Sequence, residues 1–199
     1  DDTVYTEKYR PQFHFTVRHG GIGDPNGLVH FGGEYHLFGQ HRAFQGENSG
    51  GLESTVWAHA IGSDLFHWVE YPIAVLPDKL GVPFSGSGVV DWKNTAGLVK
   101  NPVKDKNGRL ENPALVIFYT SEPTRTRNGG NTSQSMAYSL DAGRTWITYP
   151  GNPVVPHIVS ENRDPKVFWY EDQKNPGNPN GGRWIMALYL SGPDYALLA

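Results

Sequence analysis

Three short stretches hold the side chains best suited to chemistry. They are Gly23-Asp24-Pro25-Asn26-Gly27, Phe84-Ser85-Gly86-Ser87 and Arg163-Asp164-Pro165. Pro25 fixes its own φ and removes a backbone donor, and Asn26-Gly27 tolerates positive φ, so Asp24 is expected in a stiff turn at the mouth of a hairpin. Rigid presentation is what a nucleophilic or charge-stabilising carboxylate needs. Taken alone, the pentapeptide reads equally as a turn aspartate capping its own backbone, and Arg163 as a structural ion pair with Asp164. Together, two carboxylates, an arginine and a hydroxyl suit a polyhydroxylated, uncharged ligand. They suit a sugar if one carboxylate attacks while the other supports an oxocarbenium-like transition state.

Residues so far apart in the chain need a repeating framework to meet. Apolar runs of four to eight residues recur between turn signals, and no stretch keeps a 3.6-residue period for long. Leu28–Phe31 and Glu34–Gln40, joined by Gly32-Gly33, are followed by Val56–Gly62 and Trp68–Pro72. The same order returns in Gly86–Trp92, Ala114–Thr120, Ser135–Ser139 and Trp146–Pro150. Both passes end in Trp-x-x-Tyr-Pro, with Trp68 and Trp146 lying 78 positions apart. A third pass starts at Val167–Tyr170 and Trp184–Leu190 and stops in Tyr195–Ala199. Four short strands per repeat with an aromatic landmark predict β-propeller blades rather than a sandwich. The first strand of each blade lies nearest the axis, so the three chemical stretches are expected to converge at one end of it. The chain holds under three blades, and the incomplete third is expected to be completed by another copy or a second chain, because an open blade edge invites pairing.

Composition agrees with a turn-rich β protein: 24 glycines, 15 prolines and 13% aromatic residues in 199. A net charge of −3 without a basic cluster excludes a nucleic-acid footprint. There is no cysteine, hence no disulfide or thiolate metal site. No apolar run approaches the roughly 20 residues of a membrane-spanning helix. The eight histidines form no metal set; His59 and His67 read as satisfied strand residues, and no cofactor is expected. The start at Asp1 fits a removed signal peptide or a trimmed chain, and a secreted location, extracellular or periplasmic, is expected.

The motifs Asp24-Pro25-Asn26-Gly27, Tyr35–Gln40, Phe84–Ser87 and Arg163-Asp164-Pro165, in this order and spacing, resemble glycoside hydrolase family 32, the invertases, levanases and inulinases. Trp57-Ala58-His59-Ala60 and Trp184–Leu188 also fit, and the resemblance runs from Tyr9 to the last residue. It implies a five-bladed propeller of which residues 1–199 are the N-terminal portion, and retaining hydrolysis of terminal β-fructofuranosyl units in sucrose or fructans. By motif, Asp24 is then the nucleophile and Asp164 the carboxylate that holds the ring hydroxyls. Gln40, Trp57, Phe84, Ser85 and Arg163 match the wall of the fructose pocket.

The chain departs from the family pattern before the nucleophile. Gly21-Ile22-Gly23 stands where an aromatic residue, Met or Ile, and an asparagine are usual, and Arg42-Ala43 replaces Asn-Pro. The family's acid/base glutamate, in a Glu-Cys motif, has no counterpart in the 199 residues, so this chain alone is expected to turn over substrate poorly. Two other readings stand beside the hydrolase. One is a degenerate propeller that binds fructosides or only assembles. The other is a sialidase-like propeller, suggested by Ser139-x-Asp141-x-Gly143-x-Thr145-Trp146.

Overall fold

The computed structural model describes residues 6–11, 13–42, 55–123, 131–159, 161–172, 181–192 and 195–199. Gly32 and Gly33 take φ of 61° and 83°. Positive φ at both central residues suits the tight turn whose twist matches its flanking strands. It folds β1 (Ile22–Phe31) onto β2 (Glu34–Arg42), with Phe31 opposite Glu34. β3 (Thr55–Gly62) and β4 (Val69–Val75) complete an antiparallel sheet in chain order.

The second sheet repeats this plan with β5 (Val82–Asp91), β6 (Ala114–Glu122), β7 (Ser133–Ser139) and β8 (Ile147–Thr148). The third holds β9 (Asn162–Glu171), β10 (Gly182–Leu190) and β11 (Tyr195–Leu198). The architecture is all-β, of the propeller type, and β5 lies beside both β1 and β9. Trp68 and Trp146 each stand one residue ahead of the last strand of their blade.

One expectation needs correcting at three places. Asp24, Ser85 and Asp164 do not sit in turns that precede the inner strands; they lie inside β1, β5 and β9, which start four to six residues earlier than predicted. The ladder absorbs the Pro- and Gly-rich residues as bulges. Register shifts fall between Ile22 and Pro25, between Asn26 and Val29, between Pro83 and Gly86, and, opposite β9, between Ala187 and Tyr189. A bulge leaves a residue out of the ladder and re-aims its side chain, so it can hold a proline that a regular inner strand cannot.

Packing between the first two blades is aromatic. Phe38, Trp57, Val75, Ile117 and Tyr119 are buried together, with Trp146 edge-on to Phe38 at 5.2 Å. Fully burying side chains of this size contributes about 1.5–3 kcal/mol each. The imidazoles of His36 and His59 lie in the same wall, His59 stacked on Phe38 at 4.5 Å and His36 Nδ1 3.2 Å from His59 Nε2. His67, by contrast, is exposed and pairs with Asp64 at 2.9 Å.

The Ser139–Trp146 stretch closes the corner between β7 and β8. Ser139 Oγ donates to Asp141 Oδ1 at 2.7 Å, and Asp141 accepts from Thr145 N and Thr145 Oγ1 at 2.9 and 2.6 Å. Burial works to raise the Asp141 carboxyl, but the hydrogen bonds from Thr145 and Ser139 outweigh it and hold the pKa at about 2. The polar side chains of Ser139, Asp141 and Thr145 are engaged with one another, and none of the residues of this turn lines the cavity at the inner-strand bulges.

Candidate active site

The three bulged strand starts line one cavity of about 430 Å³. β1 and the residues before it supply Gly21, Ile22, Gly23 and Asp24; β2 and β3 supply Gln40, Arg42 and Thr55; β5 supplies Phe84 and Ser85; β9 supplies Arg163 and Asp164. Among the described residues, Asp24 and Asp164 are the carboxylates on its wall.

Asp24 is fixed through its side chain. Ser85 Oγ donates to Asp24 Oδ2 at 2.7 Å, and Gln40 Nε2 donates to Ser85 Oγ at 3.1 Å. The amide N–H can only donate to the serine oxygen, so the serine proton is left for the carboxylate. Oδ2 is thereby engaged, and Oδ1 is the oxygen without a partner among the described residues. Asn26, 4% exposed, braces the same bulge: its Nδ2 donates to Asp24 O at 3.0 Å and its Oδ1 accepts from Gly86 N at 3.1 Å. Sequence reasoning gave Asn26 only a conformational role, tolerance of positive φ beside Gly27; Gly27 alone takes it, at 58°, and Asn26 acts through its side chain.

Trp57 is not on the pocket wall. It is 0% exposed, packed against Phe38 and Tyr119, and absent from the cavity lining. The resemblance put it on the wall of the fructose pocket; its register puts it behind that wall. Trp57 faces the blade interface and its Nε1 donates to Phe84 O at 3.0 Å. It shapes the pocket from behind, by holding the β5 bulge that carries Ser85.

Asp164 takes φ of 61°, a left-handed conformation that is strained for a residue with a Cβ. Its Oδ2 accepts from Arg163 Nη1 at 3.2 Å. Arg163 also pairs with Glu161 across 3.0 Å and lies over Tyr189, its Cζ 5.2 Å from the ring centre. Partial burial pushes the Asp164 carboxyl above its ordinary range; Arg163 pulls it back, and the negative charges of Asp24 and Glu161 push it up again. Two carboxylates of one sign facing a common space, one of them raised, suit a site with two distinct carboxyl roles.

The rim around Gly21 and Gly23 is open. A Cβ added at Gly21 would meet nothing within 4 Å, and one at Gly23 would come to 3.6 Å from Gln40. Past Arg42, the Gly-rich polar stretch 43–54 between β2 and β3 lies outside the described residues. Among the described residues, no group of three or more metal-ligating side chains is gathered.

Comparison with known proteins assigns the family. The model of the glycosyl hydrolases family 32 N-terminal domain matches residues 14–185. A levanase of Bacillus subtilis (strain 168) is 43% identical over 189 residues, which cover 94% of this chain and 24% of the levanase. An invertase of Schizosaccharomyces pombe is 38% identical over 192 residues, covering 94% of this chain and 29% of the invertase. Among solved structures, an exo-inulinase from Aspergillus awamori superimposes with a TM-score of 0.68 at 36% identity, over 92% of this chain and 36% of its own. The chain therefore spans between a quarter and just over a third of the length of these relatives. It belongs to glycosyl hydrolase family 32.

Proposed function

We propose that this member of family 32 supplies the nucleophilic half of an enzyme that releases terminal β-D-fructofuranosyl units from sucrose or fructans with retention. The carrying observation is that Asp24 and Asp164, 140 positions apart in the chain, face one cavity with Ser85 engaging a single oxygen of Asp24. Asp24 Oδ1 forms the bond to the anomeric carbon as the glycosidic C–O bond breaks. The leaving oxygen takes a proton from a general acid, and water then displaces Asp24 in the reverse sense. Asp164 and Arg163 hold ring hydroxyls, and the Asp164 charge supports the developing oxocarbenium ion.

The acid that this scheme needs is a third carboxyl. The described wall of the cavity holds two, and the Glu-Cys motif that carries the acid in the family is absent from these 199 residues, so our reading gives the third to a further part of the protein. The levanase, invertase and exo-inulinase names among its relatives favour substrates of this class, and the name of a related extracellular exo-inulinase favours a secreted protein.

The open rim at Gly21 and Gly23 favours a second reading, a fructoside-binding domain without turnover, because fewer side chains hold the sugar there. One experiment separates the two. The full-length protein is incubated with sucrose, inulin and levan and the release of fructose is measured, beside Asp24→Asn. Turnover abolished by Asp24→Asn supports the hydrolase. Fructoside binding without release by the unmodified protein supports the binding domain.

A further inference from the structure

Asp164 sits in a strained bulge, and the strain must be held by something outside the cavity. Its backbone N–H donates to Thr120 Oγ1 at 3.0 Å. Thr120 is 0% exposed and passes its own hydroxyl proton to Gln134 Oε1 at 2.7 Å. Gln134, also 0% exposed, donates from Nε2 to Asn162 O at 2.9 Å. The polar chain leaves β9 at Asn162, runs through β7 and β6, and returns to β9 at Asp164. Its proton order is fixed throughout: the Gln134 amide hydrogens are committed to Asn162 O, which leaves Oε1 to accept from Thr120 and turns the Thr120 lone pair toward Asp164.

The far side of the bulge is held as firmly. Ser87 Oγ donates to Pro165 O at 2.8 Å and accepts from Val167 N at 2.9 Å. Pro165 itself has no N–H to tie into the ladder.

We infer that Thr120 and Gln134 are positioning residues for Asp164: from the buried centre of the second blade they lock its backbone in the left-handed conformation that aims its carboxylate into the cavity beside Asp24. Neither residue lines the cavity. Ordinary backbone geometry is lower in energy for a residue with a Cβ, so without the Thr120 acceptor Asp164 relaxes and its carboxylate swings. A buried network of this kind is worth most when every member is satisfied, as Thr120 and Gln134 are.

The inference rests on the proposed role of Asp164 in fructoside hydrolysis, and its test is arranged to fail separately. In the full-length protein, kcat and KM are measured on sucrose and on levan for Thr120→Val, Thr120→Ser, Asp164→Asn and the double variant Thr120→Val with Asp164→Asn. Misplacing a reacting group by about 1 Å costs about 100-fold, so Thr120→Val is expected to lower kcat/KM by about 10- to 100-fold. Thr120→Ser, which keeps the hydroxyl, is expected to stay within a few-fold of the unmodified protein. The double variant is expected to be no slower than Asp164→Asn, because Thr120 acts through Asp164 alone. Thr120→Ala carries the same expectation and is read wherever the valine variant does not fold.

Full activity in Thr120→Val, or in Thr120→Ala where that variant is the one read, overturns the inference. So does a loss that adds in full to that of Asp164→Asn. If Asp164→Asn is itself as active as the unmodified protein, the role given to Asp164 fails and the inference with it; if the unmodified protein releases no fructose, the hydrolase reading fails instead.

Discussion

Ser85 donates its hydroxyl hydrogen to Asp24 across 2.7 Å from 61 positions further along the chain. The bond joins two bulges in neighbouring blades, and Gln40 sets its direction by occupying the serine oxygen. The pocket is therefore organised before any ligand enters. Ser85→Ala frees Asp24 to rotate and is expected to lower kcat on sucrose by about tenfold or more, with a smaller change in KM. Steady-state kinetics check this, and an unchanged kcat would make the bond incidental.

The raised Asp164 carboxyl predicts a displaced acid limb. The group must be ionised to support positive charge, so activity is expected to rise with pH through a pKa above the ordinary aspartate value of 3.8. Removing the negative charge in Asp24→Asn is expected to bring the Asp164 pKa down, and removing the positive charge in Arg163→Gln to take it up. Carbon-detected NMR titration of the Asp164 carboxyl follows both directions.

The buried histidine pair predicts acid lability. Burial, with His36 and Arg144 adding to it, lowers the His59 pKa from 6.5 to about 3, and burial lowers that of His36 as well. Above pH 6.5 both the folded and the unfolded chain leave His59 neutral, and its contribution to stability is fully present. As pH falls toward 3 the unfolded chain binds a proton that the folded chain refuses, and stability is lost, by the lower end on the order of a few kcal/mol. His59→Phe, stacked on Phe38, is expected to flatten that loss in denaturant melts run between pH 7 and pH 4. An equal slope in the variant would contradict it.

Gly143 takes φ of 80°, and a Cβ there would stand 2.6 Å from the His36 ring. Gly143→Ala combines backbone strain with overpacking and is expected to destabilise the domain by about 2–3 kcal/mol. Thermal melts measure it, and His36→Ala in the same chain is expected to relieve the steric part.

Much of this was legible in the chain. The order of the strands could be read because each blade repeats a run of apolar residues between turn signals, closed by Trp68 and Trp146. The candidate residues Asp24, Ser85 and Asp164 could be found because they share a Pro- or Gly-rich setting at the head of each inner strand. That same setting hid the strand starts, since Asp24-Pro25 and Asp164-Pro165 carry turn residues that bulges hold within a ladder. Trp57 was misplaced for a different reason: sequence gives its strand but not which face meets the neighbouring blade. Thr120 and Gln134 were invisible, because a threonine and a glutamine in β-strands signal nothing until the strand beside them proves to be the one carrying Asp164.

The central claim is that Asp24 is the attacking group. The most direct measurement is to quench the full-length protein with acid during turnover of a fructoside, digest it, and weigh the peptides. A fructosyl adduct on the peptide carrying Asp24, lost in Asp24→Asn and absent from the peptide carrying Asp164, is the predicted result. An active protein with the adduct on Asp164, or an unmodified protein that binds fructose and never labels at Asp24, would contradict it.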